Sequence, residues 1–215
     1  MVGATIDSAG GDISVRGASP NASSTRGISV TSSSVTSGAG AISLFGSTVA
    51  AGGFGVDLVG TGEVTSTTGN ISVTGTSTGA GSRGVNLLSS GGVTSTGSGS
   101  ITITGTGAFF GIGQLNAGSE IGGTSATGDI TLITDSLNLA AGSVDSDGAL
   151  TIQPLTATAT IGLGGGAGTL NIDDAELAKL ADGFSSITIG DAAGTGAVDV
   201  DLSLIHISEP TRPLD

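Results

Sequence analysis

Groups able to do chemistry are few in this chain and are spread along it. There is no cysteine, so no thiolate nucleophile, disulfide or Cys-ligated metal site can form. Serine is abundant, but a serine nucleophile needs a base. The single histidine, His206, lies in a C-terminal stretch unlike the rest. Carboxylate chemistry remains, and glycan-active sites use it in clusters, with basic residues and sugar-stacking rings nearby. The carboxylates of the regular region, Asp57, Glu63, Glu120 and Asp129, read along the chain as scattered, and Trp and Tyr are absent. Five phenylalanines, Phe45, Phe54, Phe109, Phe110 and Phe184, are the whole aromatic inventory. The residues therefore nominate no catalytic, cofactor-binding or metal site, and the chain reads as a non-enzyme.

Five short motifs bear on that reading. Asp145-Ser146-Asp147-Gly148 resembles the start of a calcium loop, but no glutamate completes it at the EF-hand position. A turn is the plainer reading, since Asp and Gly are favoured there, and calcium at Asp145 and Asp147 stays open. Gly162 to Gly168 lacks the Lys-Ser/Thr ending of a phosphate loop and reads as a flexible corner. Asn21-Ala22-Ser23 and Asn70-Ile71-Ser72 match the glycosylation pattern, with Asn70 better read as a turn residue. Thr102-Ile103-Thr104 suggests an ice-binding Thr-x-Thr face. Its equivalents, Ser14/Arg16, Ser43/Phe45, Ser72/Thr74 and Thr131/Ile133, are too irregular. Phe109-Phe110 reads as a lid over the end of a coil.

The elements that must position all these groups follow from one spacing. Gly-x-Ile-x-(Val/Leu/Ile) recurs with its first isoleucine at 13, 42, 71, 101 and 130. A second row runs Ile28, Val56, Val85, Ile112, each after a glycine, and a third runs Val35, Val64, Val93, Ile121. A fixed period of this size marks a repeat architecture. Each repeat holds three short segments in which apolar and small polar residues alternate, the period of a strand with one buried face. Glycines bracket the segments, where corners need positive φ or close backbone approach. Equal side chains at equal phase suit parallel stacking, in which equivalent residues lie about 4.8 Å apart. The expectation is an all-β fold: a right-handed parallel β-helix of about 29-residue, three-strand coils. Inward residues should include Ile13, Ile42, Ile71, Ile101, Ile130, Val56, Val85, Val64 and Val93, with Ser, Thr and Asn facing water. About seven coils over 1–201 would make a rod roughly 35 Å long, regular over 1–134 and irregular over 135–201. Within the irregular region a single short helix is expected near 174–182, capped by Asp173 or Asp174, with Glu176 in its first turn. Leu177, Leu180 and Ala181 would share its face, and Gly183 would stop it.

Composition narrows the function classes. Eighteen acidic residues against five basic give a formal charge of −13, which repels nucleic acid and anionic membrane surfaces. No apolar run approaches the roughly 18 residues of a membrane span. The N-terminal Met1-Val2-Gly3-Ala4-Thr5-Ile6-Asp7 lacks the basic and apolar regions of a signal peptide and already reads as repeat sequence. Met1 is thus expected to be a start inside a longer frame. Residues 202–215 change character. Leu202-Ser203-Leu204-Ile205-His206-Ile207-Ser208-Glu209-Pro210-Thr211-Arg212 has no glycine and resembles the translation of a transposase-derived sequencing adapter. It reads as a non-native tail on a truncated fragment, which removes His206 from consideration.

The Gly-x-Ile-x-Val coils resemble the large secreted β-helix adhesins of Gram-negative bacteria, of the filamentous haemagglutinin type. Residues Asp174-Ala175-Glu176-Leu177, then Gly183-Phe184-Ser185-Ser186-Ile187-Thr188-Ile189-Gly190, then Gly194-Thr195-Gly196-Ala197-Val198, are similar to a unit that recurs in them. The resemblance covers nearly everything up to Asp201. It implies secretion through an outer-membrane pore, an extracellular or cell-surface location and an adhesive role, with cell-surface glycans or proteins met through the longer parent. The family's secretion domain is not recognisable in this sequence. The segment itself is expected to be monomeric and free of cofactors. Polysaccharide processing is the alternative, and an ice-binding array a third. Deleting residues 202–215 is expected to leave the Tm unchanged within error in a thermal melt, whereas a large loss would make the tail a native element.

Overall fold

The computed structural model describes residues 2–21 and 25–201. The 202–215 tail, His206 included, lies outside them, as does a portion of the Asn21-Ala22-Ser23 pattern. Every strand pairing is parallel, and three sheets form the walls of a β-solenoid. The six-stranded wall holds Thr5–Asp7, Ser34–Ser37, Glu63–Ser66, Gly92–Ser95, Glu120–Gly122 and Ser143–Asp145. The seven-stranded wall holds Ile13–Ser19, Ile42–Thr48, Ile71–Ser77, Ile101–Thr106, Ile130–Ile133, Ala149–Gln153 and Ser186–Ile189. The five-stranded wall holds Arg26–Thr31, Phe54–Gly60, Arg83–Ser89, Phe110–Gln114 and Leu137–Asn138. Each residue pairs with its own repeat equivalent: Ile13 with Ile42, Ile42 with Ile71, Ile71 with Ile101, Ile101 with Ile130. All nine residues expected to face inward are buried, and they form one continuous apolar core.

Two corners explain the glycines. Where the seven-stranded wall turns into the five-stranded one, a Cβ on Gly46, Gly75 or Gly105 would collide with the carbonyl of Gly55, Gly84 or Gly111 respectively. Where the six-stranded wall turns into the seven-stranded one, glycine stacks on glycine from coil to coil: a Cβ on Gly69, Gly99, Gly128 or Gly148 would strike the carbonyl of Gly40, Gly69, Gly99 or Gly128. Backbone contact, rather than positive φ, fixes glycine at these sites. Beside this column Asp12 Oδ1 accepts the Ala41 amide at 2.8 Å, Asn70 Oδ1 the Ser100 amide at 3.1 Å, and Asp129 Oδ1 the Ala149 amide at 2.9 Å. Asn70 is thus a turn residue, as expected. Not all small polar residues face water. Ser37, Ser66 and Ser146 are buried at corners and donate to the carbonyls of Gly11, Gly38 and Gly128. A short hydroxyl satisfies a carbonyl that a tight corner leaves unpaired.

The irregular region departs from expectation in three ways. The solenoid makes five complete three-strand turns rather than about seven, and beyond them only the six-stranded and seven-stranded walls continue. The fifth turn is short, since Ile130 pairs with Leu150, 20 residues on (130 to 150). After it the chain leaves the five-stranded wall and starts a separate three-stranded sheet, Leu170–Ile172, Ile161–Gly164 and Val198–Asp201. The glycine run serves that sheet. Ile161 pairs with Leu170 across a return so tight that a Cβ on Gly162 would overlap the Gly166 carbonyl, and one on Gly168 the Gly162 amide. The helix is one turn, Asp174–Leu177, rather than 174–182. Asp173 caps it with a reciprocal Glu176 contact, but Leu180 then forms a parallel bridge with Val144 and extends the six-stranded wall. Backbone pairing of Lys179 and Ala181 with Val144 outcompetes a second helical turn. The Glu176 side chain, buried among these elements, also accepts the Leu139 amide at 3.0 Å, closing the end of the five-stranded wall.

Close backbone packing at Gly75 makes a direct test. Gly75→Ala is expected to destabilise by about 1–3 kcal/mol through overpacking, whereas Gly38→Ala, where a Cβ meets nothing within 4 Å, should stay within about 0.5 kcal/mol, both read by denaturant melts.

Candidate functional site

On the outer surface, parallel register sorts residues into columns. The seven-stranded wall presents Ser14, Ser43, Ser72, Thr102, Thr131 and Thr151 in one column, and Arg16, Phe45, Thr74, Thr104, Ile133 and Gln153 in the next. Arg16 lies over the Phe45 ring, 5.1 Å from its centroid. The second column mixes cation, aromatic, hydroxyl and apolar groups, so no Thr-x-Thr plane exists there.

The six-stranded wall carries a carboxylate cleft that a reading along the chain misses. Glu63 pairs with Gly92 and Gly92 with Glu120, so two glutamates share a column across a glycine gap. Asp145 lies in the adjacent column, where it pairs with Gly122. The cleft between them, about 190 Å³, is lined by Glu63, Thr94, Thr96, Glu120, Gly123 and Ser125 among others. Glu63 Oε1 accepts the Thr94 hydroxyl at 2.9 Å, and Thr65 and Thr94 hydroxyls are also 2.9 Å apart. Burial, and then the negative charges of Asp145 and Glu63, push the Glu120 carboxyl above the ordinary glutamate range. Two carboxyls in one cleft, one of them with a raised pKa, are the minimum for general acid–base work on a glycosidic bond. No basic or aromatic side chain lines this cleft. Period arithmetic could have found the pair, since 63 and 120 lie about two coils apart.

The other carboxylates go elsewhere. Asp129 is spent on the Ala149 amide. Asp145 and Asp147 flank the buried Ser146. Asp147 donates its amide to the Ala126 carbonyl in a turn. Among the described residues, no three Asp, Glu, His or Cys side chains are placed to hold a metal ion. Asp57 is 1% exposed in the five-stranded wall and makes an ion pair with Arg26 Nε. Its Oδ1 accepts the Asn86 amide at 2.7 Å.

That wall also holds a column of alternating cations and rings. Arg26 pairs in register with Phe54, Phe54 with Arg83, and Arg83 with Phe110. The Arg26 guanidinium lies 5.4 Å from the Phe54 centroid, and Arg83 lies 5.4 Å from Phe54 and 5.5 Å from Phe109. Phe109 and Phe110 touch with centroids 4.1 Å apart. The phenylalanine pair is therefore a member of a lateral column rather than a lid over a coil end. Parallel register accounts for this, because it seats Phe110 beside Arg83 in mid-wall. The column was invisible in sequence because its members are 27 to 29 residues apart and differ in type.

No helix among the described residues is long and apolar enough to cross a membrane. In comparisons with known proteins, no family profile, no curated protein and no solved structure matches the chain.

The cleft predicts a pH dependence. A carboxyl whose folded pKa is raised contributes stability below its unfolded pKa, and that contribution is lost as pH rises through the folded value. Glu120→Gln should therefore melt above the parent at about pH 7–8, with the difference closing as pH falls below the ordinary glutamate range, in thermal melts across pH.

Proposed function

We propose that this chain is a non-catalytic display segment of a large secreted bacterial surface adhesin, of the filamentous haemagglutinin type that its coils resemble. The observation that carries the reading is the in-register outer surface. Five stacked turns repeat the same backbone, and the outward residues fall into columns, small and polar in the Ser14 to Thr151 row and alternately cationic and aromatic in the Arg26 to Phe110 row. Repetition of this kind makes length and sets side chains in rows about 4.8 Å apart. Cell-surface glycans or proteins are the partners, met outside the cell, each coil contributing weakly and the array contributing by multivalency.

A second reading has one specific support. The Glu63–Glu120 pair, with the Glu120 pKa raised by burial and by Asp145, is the beginning of a polysaccharide-cleaving site. The absence of any cation or ring in its lining argues against it.

One pair of experiments separates the readings. The 1–201 segment and tandem arrays of it are titrated on bacterial and host-cell surfaces. Display predicts weak binding by the single segment and at least tenfold tighter binding by the arrays. Equal tight binding by both would contradict it. Release of reducing ends from any polysaccharide, lost in Glu120→Gln, would establish the enzymatic reading instead.

A further inference from the structure

The cation–ring column contains one pair that is complete and one that is half empty. Arg26 has its acid. The position next to Ser29 in the following coil is Asp57, and its carboxylate takes the Arg26 Nε–H. The same step from Arg83 leads from Asn86 to Gly113 in the following coil, where there is no side chain. Arg83 keeps the stacking of Arg26, held between Phe54 and Phe109, but its Nε is buried and has no acceptor. Asn86, 1% exposed, spends its amide nitrogen on Asp57, and its Oδ1 is buried without a donor. Thus one strand of the wall, three residues apart, carries an unmet donor and an unmet acceptor. Buried polar groups left unpaired are costly, and a ligand that meets them gains what the fold forgoes.

There is room for it. A Cβ built on Gly113 would meet nothing nearer than Leu115 Cδ2 at 3.7 Å and Phe110 Cδ2 at 3.9 Å. These are ordinary van der Waals distances, so the two side chains flank the place. Phe109, 52% exposed, leaves a free ring beside the guanidinium.

We propose that Arg83, Asn86 and the empty position at Gly113 form a binding site for a carboxylated sugar. The carboxylate takes the place of the Asp57 carboxylate, accepting from Arg83 as Asp57 accepts from Arg26. A hydroxyl on the ring donates to Asn86 Oδ1, which a bare carboxylate side chain cannot do. The C–H face of the sugar lies against Phe109. The choice of a sugar rests on the display reading above, whereas the vacancy at Arg83 does not.

The test fills the vacancy from within. Gly113→Asp should pair with Arg83, raise the Tm by about 2–4 °C, and lower it instead in an Arg83→Gln background. Binding is read on the full chain by the NMR shift of the Arg83 Nε–H during titration with a galacturonate trisaccharide. The fully methyl-esterified trisaccharide and an Asp-containing tripeptide serve as the other arms. The acid trisaccharide is expected to shift the signal saturably, with at least tenfold weaker binding by the ester and by the peptide, and at least tenfold loss in Gly113→Asp. Binding of the trisaccharide that survives Gly113→Asp or Arg83→Gln overturns the proposal. So does equal binding of ester or peptide, no shift with the acid trisaccharide, or an unchanged Tm in Gly113→Asp. A positive titration with no binding to cell surfaces would sink the display reading and leave this site standing. The reverse result would remove the site alone.

Discussion

Everything in this molecule depends on the fixed distance between stacked parallel strands. Neighbouring coils lie about 4.8 Å apart, so each side chain has its own repeat equivalents above and below it. An isoleucine on an isoleucine fills that spacing, as the Ile42–Ile71–Ile101–Ile130 column does. No single coil has a core of its own, and each buries its inner face only between neighbours. The same spacing sets the terms at the corners. There, successive backbones press so closely that only glycine fits, and short acceptors such as Asp12, Asn70 and Asp129 reach the next coil's amide.

The outer surface obeys the same spacing with different consequences. A column of unlike groups becomes an ordered alternation, as in Arg26, Phe54, Arg83 and Phe110, where each cation rests on a ring. Like charges in one column repel. Glu63 and Glu120 avoid direct stacking because Gly92 separates them, yet burial and then the charges of Asp145 and Glu63 still raise the Glu120 pKa. The chain's high negative charge therefore bears locally on stability at this cleft. Asp57 shows the opposite solution, a carboxylate taken out of water and matched on both oxygens by Arg26 and Asn86. Display and recognition thus use the same device, a row of side chains whose order the coils impose.

Where the spacing rule loosens, other interactions take over. Past Ile133 the turns shorten, and the five-stranded wall ends at Leu137–Asn138. An exposed strand end leaves unpaired amides, and Glu176 from the one-turn helix accepts the amide of Leu139. Leu180 bridges Val144 and gives the six-stranded wall a last partner. Burial raises the Glu176 pKa while the two backbone amides it accepts lower it, with burial the larger effect. This region closes two of the three walls, and the seven-stranded wall runs on through Ser186–Ile189.

The sequence by itself determined the period, the three-wall coil, the inward residues and the corner glycines, because each recurs in every coil. A residue misread in one repeat is outvoted by its equivalents in four others. It also determined what chemistry is missing, since cysteine, tryptophan and tyrosine are absent outright. Tertiary structure alone decided which outer residues meet. Coil lengths vary by a residue or two at different corners, so that Ile71 pairs 30 residues on with Ile101, while Val93 pairs 28 on with Ile121. Column membership depends on where those residues are gained and lost, and an outer contact involves single residues that no other repeat corroborates. The Glu63–Glu120 cleft, the Arg83–Gly113 vacancy and the bridge that cut the helix at Leu177 are all of this kind. Each is a long-range pairing set by accumulated register, which local propensity does not encode.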